Sequence, residues 1–300
     1  VVKQGVILID KPEGISSRKV VDRVMSILKV KKAGHFGSLD PFATGLLCMG
    51  IGQGTKLLPF MQAHQKEYIA VIGLEMFTDT DDITGKPITN YGDVSIDIDK
   101  VQKWFDDNNG WIDQVPPDYC AQKYKGQPLY KLKRANIEVQ PRQKQVYIEE
   151  TEILSKGRDW IETRVVCSRG TYIRSIARDL GSALGCGGYL RELRRIKSEG
   201  FCIDHAMNLD TLRAMVDNKE DVLIPLAEAV QLPKVLVTKT AEAGIKEGHP
   251  IQKSWILGHD YMADGTYVAL VNDKKRLLCI ARIQRSNGIW AKIERGFMPF

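Results

Sequence analysis

Apolar residues fall along this chain in two rhythms. Residues 6–9 (VILI) form an unbroken apolar run, as do residues 46–49 (LLCM), while 67–75 (EYIAVIGLE) alternates like a strand. Segments 145–153 and 160–168 also read as strands. Val20, Val21, Val24, Met25 and Leu28 recur at helical spacing, predicting a helix over 18–28 that Ser16 or Ser17 can cap. Ile173, Ile176, Ala177, Leu180 and Leu184 predict another over 171–184, and the acidic stretch 93–108 contains a third over 97–105. Residues 34–45 carry three Gly and one Pro among polar neighbours and read as a loop. Residues 115–142 are Pro-bearing, basic and aromatic, the pattern of a long exposed insertion. Acidic residues 204–229 read as the closing helices of the main unit. A boundary is expected near Leu232-Pro233, dividing the chain into units 1–232 and 233–300. The second unit holds strand-like runs at 235–237, 267–271, 277–283 and 288–293, the signature of a small β-barrel or sandwich. The fold class expected is α/β, and no repeat of fixed period is present.

Composition narrows the classes. A chain of 300 residues can bury one substantial core and keep a smaller companion unit. No apolar stretch approaches the ~20 residues that span a bilayer. The apolar start is too short for a signal peptide, and Asp10-Lys11-Pro12 interrupts it, so a cytoplasmic protein without membrane contact is expected. The six cysteines form no CxxC pair and read as buried reduced thiols. Net charge is only +6, but Lys and Arg crowd into 29–32, 123–134, 164–197 and 274–285 while acid collects in 93–118 and 204–228. Such segregation suggests a basic face for a polyanion. Two motifs fail on inspection. Residues 50–56 (GIGQGTK) miss the spacing of a phosphate loop, and 79–85 (DTDDITG) lacks the glycine and closing glutamate of a calcium loop. The five histidines, His35, His64 and His205 among them, show no ligand pairing, so no metal site is expected.

The distinctive segment is 34–47, GHFGSLDPFATGLL. It sets a carboxylate, Asp40, in a glycine-flanked loop, and Pro41 biases the Asp40 backbone toward extended conformations that help aim the side chain. Asp-Pro also commonly opens a turn, and the residues alone leave both readings open. The segment resembles the GHxGTLDPxAxGxL motif of TruB-type pseudouridine synthases. Five further stretches resemble that family's motifs in order: 5–17 (GVILIDKPEGISS), 66–68 with 78–85 (KEY, TDTDDITG), 114–130 (from QVPPDYCAQKYKG to Tyr130), 167–175 (CSRGTYIRS) and 190–195 (LRELRR). Departures are small: Ser16 and Ser38 stand where Thr is usual, Cys120 where Ser is, and Gly188 where Ala is.

The resemblance implies a mixed, largely antiparallel sheet with helices and a central cleft, followed by a PUA-like β-barrel from about residue 233. It implies isomerisation of uridine to pseudouridine at position 55 in the T-arm of tRNA, by a monomer needing no guide RNA, no cofactor and no obligatory protein partner. Asp40 is the implied essential carboxylate, and Arg174 its partner, keeping it ionised against the effect of burial. Tyr68 is implied to stack on the flipped uracil, its hydroxyl being a candidate acid or base, and His35 to fill space near the vacated base. Tyr172 and Leu193 are implied to line the uracil pocket, although Leu193 taken alone reads as an apolar residue on a helix face. In the insertion, Lys123, Lys125, Lys131, Lys133 and Arg134 interleave with Tyr119, Tyr124 and Tyr130, which suits phosphates and unpaired bases. This thumb-like piece is expected over about 119–145, and Lys11, Lys56, Arg194 and Arg195 are further candidate phosphate contacts. Two alternatives stand: a guide-RNA-dependent synthase, and an RNA-binding or RNA-folding protein in which catalysis is secondary.

Overall fold

The computed structural model describes residues 3–61, 65–120, 122–124, 126–128, 133, 135, 137, 139, 142–258 and 261–297. His64, Lys125, Tyr130, Lys131 and Arg134 lie outside the described residues, as does the side chain of Lys123. The chain runs through β1 (Gly5–Lys11), α1 (Ser17–Leu28), β2 (Ala33–His35), β3 (Thr44–Ile51), β4 (Lys66–Gly73), β5 (Met76–Thr78), β6 (Pro87–Asn90), α2 (Ile98–Asp107) and β7 (Gly110–Gln114). It continues through β8 (Lys123–Tyr124), β9 (Gln127–Pro128), β10 (Lys144–Lys156), β11 (Trp160–Cys167), α3 (Ile173–Leu184), β12 (Tyr189–Ser198), β13 (Phe201–Cys202), α4 (Leu209–Asp217) and α5 (Leu226–Ala229). The last part holds β14 (Lys234–Leu236), α6 (Lys239–Glu247), β15 (Ile251–Gln252), β16 (Tyr267–Val271), β17 (Leu277–Ser286) and β18 (Ile289–Gly296).

A nine-stranded sheet forms the main unit in the order β1-β3-β12-β4-β11-β10-β7, with β2 on β3 and β13 on β12. Among the described residues, only the β3–β12 junction of this sheet is parallel; its remaining pairs are antiparallel. The unbroken apolar runs of β1 and β3 are explained by burial on both faces. Ile7, Ile9, Leu47 and Met49 pack against Val20, Val21, Val24 and Leu28 of α1 and Leu212 of α4. Val6, Leu8, Leu46 and Cys48 face Leu226 and Ala229 of α5 and Ala269, Val271, Leu277 and Ile280 of the second sheet. Each such side chain contributes about 1.5–3 kcal/mol by leaving water, so this two-sided layer fixes the start of the chain firmly. By contrast β4 alternates because only one face is core. Tyr68, Ala70 and Ile72 join Val165, Val101, Phe105, Ile173, Ile176 and Leu180. Glu67 turns the other way, to Arg164 and Lys197.

The second sheet is five-stranded, β14-β16-β17-β18-β15, with its own core around Val235, Val268, Leu278, Ile283 and Trp290. The strand-like runs expected there are present, and α6, capped by Gly248 at φ 82°, is an element the apolar pattern did not reveal. The expected helical face around Leu193 is corrected: residues 189–198 are β12, at the centre of the main sheet. No helix of the described residues is long and apolar enough to cross a membrane.

Candidate active site

Asp40 sits in the loop between β2 and β3, and neighbouring elements hold that loop through its backbone. Ser17 Oγ donates to Leu39 O at 2.9 Å and accepts from Leu39 N at 2.8 Å. Arg195 donates to Gly37 O at 3.1 Å, Ser38 O at 3.3 Å and Leu46 O at 2.8 Å. Lys11 Nζ donates to Pro12 O at 2.8 Å and Pro41 O at 3.1 Å, and Gly14 N donates to Pro41 O at 2.8 Å. Gly45 then takes φ 98°, and a Cβ there would stand 2.3 Å from Arg195 O, so the parallel junction requires glycine at this position.

Arg174 meets this loop from α3. Gln114 orients the start of that helix, its side chain accepting from Tyr172 N at 2.8 Å and donating to Tyr172 O at 3.0 Å. Arg174 Nε lies 3.0 Å from Asp40 Oδ2. Its other nitrogens reach Thr80 O at 3.0 Å, Tyr119 O at 3.0 Å and Asp82 Oδ2 at 3.3 Å. One buried guanidinium therefore joins the Asp40 loop, the 78–85 turn and the root of the 119–145 insertion. Asp82 is itself held, since its Oδ1 accepts from Thr80 Oγ1 at 2.8 Å and Thr84 N at 3.0 Å. The segment that fails as a calcium loop is thus the anchor of the arginine. Asp81 next to it pairs with Arg178 at 3.0 Å, and burial lifts the Asp81 carboxyl to about 6.

The electrostatics oppose one another at Asp40. Burial raises its pKa, Arg174 lowers it, Asp82 raises it and Lys11 lowers it, with a net upward shift. Protein crowds the carboxylate on most sides, yet the side chain keeps 40% of its exposure, enough to meet an incoming ligand. Tyr68 and Leu193 share a core cluster with Leu39 and Phe42, on either side of Asp40 in sequence. Burial pushes the Tyr68 phenol up to about 12, so it is protonated at neutral pH. His35, on β2, carries a buried Nδ1 without a hydrogen-bond partner among the described residues. Burial and then the cations Arg195, Lys66 and Arg18 lower its pKa, favouring the neutral ring. Tyr172 is half-buried and packs with Cys120 and Val139 at the root of the insertion.

Three candidate phosphate contacts make internal hydrogen bonds. Lys11 and Arg195 are buried, and their charged groups are spent on loop carbonyls. Burial lowers Lys11 to about 8. Lys56 donates to Gln53 Oε1 at 2.7 Å and Gly296 O at 3.0 Å, tying the main unit to the second sheet. Arg194 remains half-exposed, its guanidinium paired twice with Asp10 at 3.0 and 2.7 Å. The glycines of 50–56 serve packing: a Cβ on Gly54 would meet Gly5 O at 2.0 Å. The cysteines are free thiols, with Cys186 and Cys202 only half-buried. No cluster of metal-ligating residues occurs among the described residues. Asp82, Gln114 and Ser17 are site residues that chemistry alone did not single out, though each falls inside a motif quoted above.

The site sets the Asp40 carboxylate against the buried Arg174 beside a mixed, largely antiparallel sheet. Comparison with known proteins supplies the class. Residues 25–173 match the TruB family pseudouridylate synthase N-terminal domain, and 174–231 match the tRNA pseudouridylate synthase B C-terminal domain. The chain belongs to the TruB family of pseudouridylate synthases. A relative from Francisella philomiragia, named tRNA pseudouridine synthase B, is 37% identical over 96% of this chain and 94% of its own. One of the same name from Thermotoga maritima is 35% identical over 95% and 92%. A solved Cbf5-Nop10-Gar1 complex holds a chain with TM-score 0.74 and 27% identity, covering 98% of this chain and 85% of that one. A solved H/ACA RNP bound to a substrate RNA gives 0.74 and 26%, with 98% and 85% covered.

Proposed function

We propose that this enzyme converts the uridine at position 55 in the T-arm of tRNA to pseudouridine, as a stand-alone cytoplasmic monomer that needs no guide RNA. The conversion breaks the N1–C1′ bond, turns the base and joins C5 to C1′. The C5 hydrogen leaves as a proton and N1 gains one, so no redox partner or energy input enters the balance. A carboxylate can hold one fragment while the base turns, and we assign that role to Asp40. The observation that carries the assignment is the Arg174–Asp40 contact at 3.0 Å, in a site where burial alone favours the protonated acid. In this reading Tyr68 stacks on the extracted uracil, Tyr172 and Leu193 line its pocket, and His35 fills the space the base vacates.

The unit 1–232 is the catalytic domain of this proposal. The 119–145 insertion, Lys123 included, would fold over the RNA arm, with Arg194 exchanging Asp10 for phosphate. Unit 233–300 is proposed as a PUA-like RNA-binding domain. The tRNA substrate is supported by near full-length relatives named for it. The likeness to chains in H/ACA complexes favours a second reading, a guide-dependent synthase. A guide-free reaction on unmodified tRNA transcript separates them: pseudouridine mapped at position 55, and lost when that uridine is replaced by cytidine, supports the first. Conversion only when a guide RNA is added supports the second.

A further inference from the structure

We propose that Ser17 is a positioning residue for Asp40: its buried hydroxyl clamps both backbone polar groups of Leu39 and so fixes the direction from which the next residue's carboxylate acts. The inference rests on the reading of Asp40 as the reacting carboxylate. Two adjacent serines divide two tasks here. Ser16 caps α1, accepting from Lys19 N at 3.2 Å. Ser17, the first residue of the helix, is thereby free to turn inward and is only 2% exposed. Its single oxygen accepts from Leu39 N and donates to Leu39 O, and Ser38 Oγ approaches it at 3.5 Å.

Leu39 is buried in the core cluster, so water cannot readily replace that oxygen. The loop also has little sheet ladder of its own to fall back on. Phe36 N donates to Cys48 O at its start, and Ala43 N to Asp40 O at its end. Arg195 and Lys11 hold the flanking carbonyls of Gly37, Ser38 and Pro41. Without the Ser17 oxygen the Leu39 peptide must move to find partners, and Asp40 moves with it away from Arg174. A displacement of about 1 Å at a reacting group is worth up to about 100-fold in rate.

The test compares Ser17→Ala, Ser16→Ala and Asp40→Asn with the parent enzyme, at a temperature where circular dichroism shows all four folded. Tritium release from tRNA carrying 5-tritiated uridine is followed in single turnover at saturating enzyme, across pH, and tRNA affinity is measured by filter binding. Ser17→Ala is expected to lower the limiting rate about 10- to 100-fold with Kd within about twofold. Its acid limb is expected to move to higher pH, because a carboxylate drawn off Arg174 is easier to protonate. Ser16→Ala is expected to melt at a lower temperature for want of its cap, and to keep the parent rate. A Ser17→Ala rate within about threefold of the parent, or losses in both serine variants that simply follow their melting temperatures, would overturn the inference. Asp40→Asn separates the two levels. If it is inactive while Ser17→Ala is unimpaired, only the role of Ser17 falls. If Asp40→Asn retains the parent rate, the reading of Asp40 falls and this inference with it.

Discussion

Arg174 gives the sharpest prediction because it performs two separable tasks. Its charge favours the ionised form of Asp40, and its planar fork joins three segments at fixed distances. Two unit charges 3.0 Å apart attract by about 5.5 kcal/mol at an effective dielectric of 20 and about 1.4 kcal/mol in water. Asp40 keeps 40% side-chain exposure, so screening draws the value toward the lower end, about 2 kcal/mol. That is a roughly 30-fold change in the balance between ionised and protonated Asp40. Arg174→Met removes charge and fork together. Its acid limb should move to higher pH, and its limiting rate should fall. Folding stability should drop by about 3–5 kcal/mol, because the buried Asp82 loses its partner. Arg174→Lys restores charge without the fork. Its acid limb should return toward the parent while its plateau stays down by about 100-fold. The assay is single-turnover tritium release from pH 5 to 9, with urea unfolding alongside. A Lys variant with the parent plateau would refute the geometric part. A Met variant with an unmoved acid limb would refute the electrostatic part.

Three other outcomes follow from the same geometry. A carboxyl whose folded pKa is raised adds a stability that is complete below its unfolded value, near ~3.9, and lost as pH rises through the folded value. Asp40→Asn should therefore melt higher than the parent at pH 7, with the gap closing as pH falls toward about 4; a lower melting point at pH 7 would mean that the Arg174 attraction outweighs burial. Tyr68→Phe keeps the ring and removes a hydroxyl held protonated by a pKa of about 12. The limiting rate should fall about 100-fold or more with tRNA affinity intact if that hydroxyl moves a proton, and an unchanged rate would leave Tyr68 a stacking role alone. Gly45→Ala forces a side chain onto φ 98° and onto Arg195 O; urea unfolding should register a loss of at least about 2 kcal/mol, and a smaller loss would mean that β3 and β12 can part cheaply.

Much of this was legible because burial leaves marks in sequence. The apolar runs of β1 and β3 signal strands covered on both faces, and the 3.6-residue spacing of α3 signals one apolar face. β12 escaped the same reasoning. Irregularities at Leu190/Glu192 and at Arg195/Lys197 break its two-residue period, so Leu193 looks helical. The burial of Lys11 and Arg195 was hidden for a different reason. Cations default to the surface unless something satisfies them, and here the partners are carbonyls of the Asp40 loop, at 30 residues' remove for Lys11 and more than 140 for Arg195. Asp82 was visible as part of a motif, but only the fold reveals that it steadies Arg174 from the far side. The short helix α6 lacks a long enough apolar face to stand out.

Asp40 is proposed to carry out a guide-independent isomerisation of uridine in tRNA. The most direct measurement incubates the pure protein with unmodified tRNA tritiated at uridine C5, without guide RNA, ATP or added metal. Forming the bond at C5 must release that hydrogen. The parent enzyme should release about one equivalent of tritium per tRNA, one uridine being converted in each molecule, and Asp40→Asn should release none. Tight tRNA binding with no release by the parent, or equal release by Asp40→Asn, would contradict it.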